Sequence, residues 1–295
     1  VGGYQNQIKG DHALPFYGVV GGGLGNRVGG RYSGVGGGKG NHILAPYSNV
    51  WGGESQIINI GNYNTILAGK NNRVELGSYS TIVGGENNRI QSDYQLKGGG
   101  NSLVPYVKYQ LEQGGSHYST ILSGERHQLT GSLNTILSGN KSRIKGSGNA
   151  ITSGYRQVIN GELSGILGGK GHHINGNQAG IGGGARNQVK GDWGGILNGQ
   201  DNQVDGSYSL IGGGTKNKIK GIYNMVSGGV SQLIQGGYNR IGTGHKGQII
   251  GWFNLINTGA RNRIEGAYNT ILSGQRNRII GDQNMILGGE SQSIA

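Results

Sequence analysis

The sequence predicts an all-β fold, a narrow parallel β-solenoid with two short strands per coil. Three observations carry this. Glycine supplies 66 of 295 residues, whereas proline supplies 3 and phenylalanine 2. Collagen is excluded, because glycine does not fall at every third position, and a strict recurrence of Ile, Leu and Val argues against disorder. That recurrence has a period of fifteen: residues 116–295 divide into twelve units of fifteen with no insertion, and a fixed period is the primary mark of a repeat architecture.

Numbering each unit from 1 assigns the elements in order. Position 1 is Gly in eleven of twelve units, with Ser116 the exception, and position 9 is Gly in all twelve. Position 6 is Ile eleven times and Val226 once; position 14 is Ile nine times, otherwise Leu129, Val189 or Val204. Position 4 is Asn seven times and position 12 is Asn five times, while position 8 is short, as in Ser123, Gly168, Asn198 and Thr258. Upstream, units begin at Gly30, Ala45, Gly61 and Gly77, some one residue longer. Residues 10–29 carry about five extra residues around Leu14-Pro15-Phe16, and residues 92–115 form a 24-residue unit holding Pro105-Tyr106-Val107-Lys108-Tyr109. The expected organisation is one continuous solenoid of about 18 coils: irregular over 1–115, with insertions near 11–18 and 101–115, and regular over 116–295. The two long units are excursions, where binding residues tend to concentrate.

Each half-unit reads as a short strand. Positions 4, 6 and 8 face one way and positions 5 and 7 the other. Two glycines per fifteen residues exclude a helix. Glycine marks the turns because the chain must reverse there with positive φ. Stacked coils pair in parallel about 4.8 Å apart, so eighteen would make a rod of roughly 85 Å. The position 6 and 14 isoleucines then form two inner columns. Asparagines at 4 and 12 share the inward parity, where their amides are expected to bond to the amides above and below and to turn backbone.

The outward positions divide by charge. Positions 5 and 7 of the regular units contain no acid and one base, Arg240, among 24 residues. They hold Leu122, Leu137, Leu197, Met225, Leu255, Leu272 and Met285, the candidate oligomer interface. Such a face, repeated along a rod, is too large an apolar patch to leave wet. It is expected to pack against copies of the same chain. Positions 11, 13 and 15 carry 15 of the region's 17 Lys and Arg. Candidate contacts for a glycan or other polyanion are Arg126, Lys141, Arg143, Lys145, Lys216, Lys218, Lys220, Arg261, Arg263, Arg276 and Arg278. The net charge of +12 serves either as a solubilising face or as an attractor of anionic partners.

The pattern G-x-Y-N-T-I-L-S-G-x-x-N-R-I-x-G, seen over 266–281 and echoed over 61–74, resembles the head repeats of trimeric autotransporter adhesins, the YadA-like heads, whose pattern is G-x-x-S-V-A-I-G-x-x-A-x-A-x. The resemblance spans nearly the whole chain as glycine and aliphatic spacing. It implies a left-handed parallel β-roll, a homotrimer, and a place in a fibre outside the cell. This chain departs from the family in its longer coil and in having Asn and Ile for Ser and Ala. It also shows no heptad stalk or β-barrel anchor pattern. Glycine-asparagine repeats of this kind also resemble parts of phage and large-virus fibres. The chain opens inside a repeat, at Val1-Gly2-Gly3, which suggests a segment of a longer protein.

No residue set points to catalysis, a metal or a cofactor. Cysteine is absent. His172-His173 fall at positions 12 and 13, one inward and one outward, and cannot easily share a metal. Asp201 and Asp205 face outward four residues apart, without the cleft that acid–base chemistry needs. Gly21–Gly23, Gly36–Gly38, Gly98–Gly100 and Gly182–Gly184 lack the Lys-Ser/Thr of a phosphate loop. Calcium-binding nonapeptides need an Asp per repeat, and the chain has 14 acids in all. No apolar run has the length of a membrane span.

Aromatic residues recur at position 3: Tyr32, Tyr47, Tyr63, Tyr79, Tyr94, Tyr118, Trp193, Tyr208, Tyr223, Tyr238, Phe253 and Tyr268. They suit either a stacked column over a turn or a platform for sugars beside the basic stripe. The expected function is a non-enzymatic fibre or head segment mediating surface attachment, as in an adhesin or tail fibre. The alternatives are a self-assembling filament subunit and an ice-binding face. For ice binding, Thr65, Thr81, Thr120, Thr135 and Thr270 fit at position 5, while Gly165, Gly180, Gly195 and Arg240 interrupt.

Overall fold

A computed structural model describes residues 2–10, 17–91 and 116–295. The fold is all-β, a parallel β-solenoid of about 17 turns with coils of about 15 residues. The described residues group into two compact units, 1–152 and 153–295.

In the first unit one sheet stacks the position 14 strands. Arg27–Val28, His42–Ile43, Ile57–Ile60, Arg73–Ser78, Arg89–Gln91, Gln128–Thr130 and Arg143–Lys145 pair in parallel, each with the next. The other sheet stacks the position 6 strands, from Gly18–Val20 through Thr65–Ile66 to Ala150–Ile151. The register fixes the turn count. Thr81 pairs directly with Thr120, and Arg89 with Gln128. The coil that begins at Gly77 is therefore followed in the stack by the coil that begins at Ser116. Residues 92–115, counted from the sequence as one of the coils, lie outside the described residues. Most of the two expected insertions, near 11–18 and over 101–115, lies outside the described residues.

The second unit repeats the plan from Val158–Asn160 and Gly165–Ile166 onward. Four of its position 14 strands, Lys218–Ile222, Leu233–Gly237, Gln248–Trp252 and Arg263–Ala267, are five residues long and run through the position 1 glycine.

Both units have the core that the period predicts. Among the described residues, every aliphatic side chain at positions 6 and 14 from Val20 to Ile286 is at most 3% exposed. The buried amides bond to turn backbone and to one another, as expected, in different proportions at the two positions. At position 12 the chief partner is backbone. Asn202 Nδ2 donates to the Asn198 carbonyl of its own coil and the Gly214 carbonyl of the next, at 3.3 and 2.9 Å. Its Oδ1 accepts the Asn217 N–H at 2.9 Å. One side chain thus ties the turn of its own coil to the turn of the next. Amide-to-amide bonds do occur at position 4, as from Asn254 Nδ2 to Asn239 Oδ1 at 3.1 Å. Serine replaces the amide at Ser33 and Ser209, whose Oγ accepts the N–H of Ser48 and Asn224.

The turns hold a second departure. Positive φ was expected of glycine alone, but non-glycine residues at positions 3 and 11 lie at φ between 52° and 61°. Tyr268 and Arg276 are examples. Each costs about 1–2 kcal/mol in an L-residue. The gain is an alternation of hydrogen-bond direction. The Gln275 N–H donates forward to the Gly289 carbonyl, while the Arg276 N–H donates backward to the Ala260 carbonyl. The left-handed residue turns the second donor round, so the turn bonds to both neighbouring coils.

Candidate functional surfaces

Four side-chain rows follow from this coil. Position 3 lies in one turn and position 11 in the other, so aromatic and basic rows occupy opposite edges. Only the position 11 cations are opposite the rings; those at positions 13 and 15 lie on strands that lead into the aromatic turn, as Lys220 does before Tyr223.

The aromatic edge is a ladder of rings. In the first unit Tyr17, Tyr32, Tyr47, Tyr63, Tyr79 and Tyr118 stack with centroids 5.0–5.2 Å apart. In the second unit Trp193, Tyr208, Tyr223, Tyr238, Phe253 and Tyr268 stack in the same way, the Trp193–Tyr208 step being 6.0 Å and the others 4.8–4.9 Å. Inner rings have both faces covered by neighbours, so they offer solvent their edges and hydroxyls. A sugar platform needs a free ring face, and the stacked column is what these rings form. Tyr94 lies outside the described residues, and the rung after Tyr79 is Tyr118. Tyr17, which the period missed because it lies within the long unit 10–29, is the first ring.

The basic residues divide between an edge and a face. Arg126, Lys141, Lys216, Arg261 and Arg276 sit at the position 11 turn with φ of 56–59°. Arg143, Lys145, Lys218, Lys220, Arg263 and Arg278 lie on the position 14 strands. Arg263 and Arg278 are direct cross-strand neighbours. Part of this charge is neutralised: Arg126 pairs with Glu125, Arg263 with Glu265 and Arg276 with Glu290. Lys216, Lys218, Lys220, Arg261 and Arg278 form no ion pair among the described residues. Asp201 takes both Nε and an Nη of Arg186, at 2.6 and 2.8 Å, and that guanidinium holds its carboxyl down at about 2. Asp205 faces Lys190. These two acids are ion-pair partners, each with its own cation.

On the neutral face Leu122, Leu137, Leu197, Leu272 and Met285 are exposed, and Met225 and Leu255 half-buried. Thr65, Thr81, Thr120 and Thr135 are consecutive rungs there, closer than the sequence suggests. The run ends at Ala150.

Two histidines stand in the position 12 column. His127 Nδ1 accepts the Ser142 N–H at 3.2 Å, and His172 Nδ1 accepts the Asn187 N–H at 3.1 Å. Each therefore replaces an asparagine oxygen and must be unprotonated at Nδ1. Burial pushes both imidazoles below their ordinary range. His173, on the outer side of the strand, is also lowered, by burial first and by Lys190 second. No group of three His, Asp or Glu side chains that could hold a metal occurs among the described residues.

A pH dependence follows from the two inward histidines. The folded chain takes up their protons less readily than the unfolded chain. Their contribution is therefore complete above the ordinary imidazole pKa of about 6.5 and is lost as pH falls below it. Urea midpoints measured at stepped pH should fall on acidification through that value. The double variant His127→Asn, His172→Asn should flatten the fall. An unchanged acid dependence in the variant would remove these two groups as its cause.

No protein-family model matches the chain, and no curated protein sequence matches it. No helix is long and apolar enough to cross a membrane among the described residues.

Proposed function

We propose that this chain is a non-enzymatic structural segment of a surface fibre, an adhesin head or a tail-fibre part displayed outside the cell or on a virion. It attaches by multivalent contact and binds anionic glycans or similar polymers along its basic edge. The observation that carries this reading is the recurrence of a cation at the same turn position in one coil after another. Lys246, Arg261 and Arg276 take three consecutive coils, with Lys216 two coils before them. The rungs are about 4.8 Å apart, well inside the Debye length of about 8 Å at physiological salt. Neighbouring cations therefore act together on a polymer laid along them. The threonine run is four rungs long and neutral, and the basic edge is the stronger candidate. Resemblance to YadA-like heads supports the same reading and adds a homotrimer, with the neutral face of Leu197, Leu255, Leu272 and Met285 packed against copies of the chain.

The test is retention on immobilised heparin and on polysialic acid at stepped salt. Binding should weaken steeply as salt rises. Lys216→Gln, Lys246→Gln, Arg261→Gln and Arg276→Gln combined should weaken it at least about tenfold at low salt, corresponding to about 1.4 kcal/mol. Retention that ignores salt, or that survives the fourfold substitution, would overturn the proposal.

A further inference from the structure

In the first unit the neutral face changes character. At positions 7 to 9 three successive coils read Gly21-Gly22-Gly23, Gly36-Gly37-Gly38 and Trp51-Gly52-Gly53, and position 5 of the middle coil is Gly34. The missing side chains leave a hollow of about 400 Å³, in the range of small-ligand sites, roughly 300–1,000 Å³. Gly21, Gly34 and Gly36 line its floor, and Tyr17, Tyr32 and Trp51 line it as well. Trp51 is 67% exposed and belongs to neither ring ladder. It has no ring partner among the described residues, and Gly36, its counterpart in the preceding coil, has no side chain to cover the indole on that side. Asn49 Oδ1 lies 3.4 Å from where a Cβ on Gly34 would stand. The amide thus leans over the floor, with no side-chain hydrogen-bond partner among the described residues. No charged residue lines the hollow.

We propose that this hollow binds a neutral carbohydrate, with one pyranose ring against Trp51 and its hydroxyls reaching Asn49 and the tyrosine phenols. A pyranose has an apolar C–H face and a polar rim. The free indole face suits the first, and an amide with phenol hydroxyls suits the second. A wholly apolar ligand would bury the Asn49 amide unpaired. The lining itself carries no cation for an acidic sugar, although Arg31 stands over the Tyr32 ring at 5.7 Å, and the site lies apart from the position 11 edge. The space is kept open by residue choice. Thr65 and Leu67 stand two coils further along where Gly34 and Gly36 stand here, so the same strand accepts side chains elsewhere. This proposal does not rest on polyanion binding.

The test is tryptophan fluorescence and calorimetric titration of the full chain with cellohexaose, maltohexaose, chitohexaose and mannohexaose. Two substitutions install what a neighbouring coil already carries: Gly34→Thr, where a Cβ meets only ordinary contacts, and Trp51→Leu. At least one sugar should bind saturably to the parent chain. Both substitutions should weaken it about tenfold or more, with thermal unfolding unchanged, while the fourfold basic-edge variant binds it as the parent does. The proposal is overturned if none of the four sugars saturates, or if Gly34→Thr binds as the parent does. It is also overturned if either substitution changes the solution mass by light scattering, for the hollow would then be a contact between copies. Failure of polyanion binding would appear only in the salt-stepped heparin and polysialic acid columns.

Discussion

Gly251→Ala is expected to destabilise the second unit by about 3–5 kcal/mol, through a left-handed backbone cost and an overlap that cannot relax. Gly251 has φ of 140°, a region closed to residues with a Cβ. An added Cβ would stand 1.7 Å from the Gly266 carbonyl oxygen. Retreat is blocked on both sides, because Gly236, Gly251 and Gly266 are in register within five-residue strands. The coils can separate only by breaking rungs. In a solenoid each coil contacts only its neighbours, so the damage should be local. Hydrogen exchange should accelerate in 248–267 before it does in distant coils, and the urea midpoint should drop. Gly213→Ala is the control. Its Cβ would meet nothing within 4 Å, and its φ is not positive, so it should change stability by no more than about 0.5 kcal/mol. Equal effects from the two would mean that the glycine column does not set the coil spacing.

The sequence makes the inner side of this molecule plain. Ile66, Ile82, Ile121 and Ile136 repeat on a period that only stacked strands satisfy, and they form consecutive buried rungs. The turns are harder to read. Tyr268 and Arg276 are residue types that say nothing of positive φ, which more often signals Gly or Asn. What selects that conformation is the need to send one N–H backward along the stack, a relation between coils fifteen residues apart. The same limit applies to neighbours along the stack. Counting a period cannot say which coil follows the one that begins at Gly77, and the pairing of Thr81 with Thr120 does. Surface rows split in the same way. Charge at positions 11, 13 and 15 reads as one stripe in sequence, but the turn lifts position 11 onto an edge of its own. Trp51 carries no signal by itself, since its free face depends on glycines in the two preceding coils.

Asn217→Leu separates the contribution of the amide column from that of the isoleucine columns. Leucine keeps asparagine's branched four-atom skeleton with bulkier ends, so the core stays filled and the chief loss is in hydrogen bonding. Asn217 Nδ2 donates to the carbonyls of Gly213 and Gly229 at 2.9 and 3.1 Å, and Oδ1 accepts the Gln232 N–H at 2.9 Å. The Gly229 carbonyl keeps a second bond, from the Thr215 N–H, and loses least. The Gln232 N–H is left buried without its acceptor, so it should dominate a total of about 2–4 kcal/mol. Asn217→Asp should give the same shape a different pH signature. A carboxylate would face two carbonyls, whereas a carboxylic acid can donate to one of them. The folded-state pKa is therefore raised, and stability should be greatest in acid and lost as pH rises through that raised value. The Leu variant has no such group and should lack that loss. The column also has a coil in which this side chain is missing. Position 12 is glycine at Gly247, and there the longer Gln232 reaches over to accept the Gly247 N–H at 2.7 Å. Glutamine does the same before residues that carry a side chain, as Gln56 Oε1 accepts the Asn72 N–H and Gln157 Oε1 the His172 N–H, both at 3.0 Å. If Asn217→Leu unfolds at the parent's urea midpoint, the isoleucine columns alone hold the stack. If it falls by the stated amount, each coil is held to the next by its amide as well as by its core.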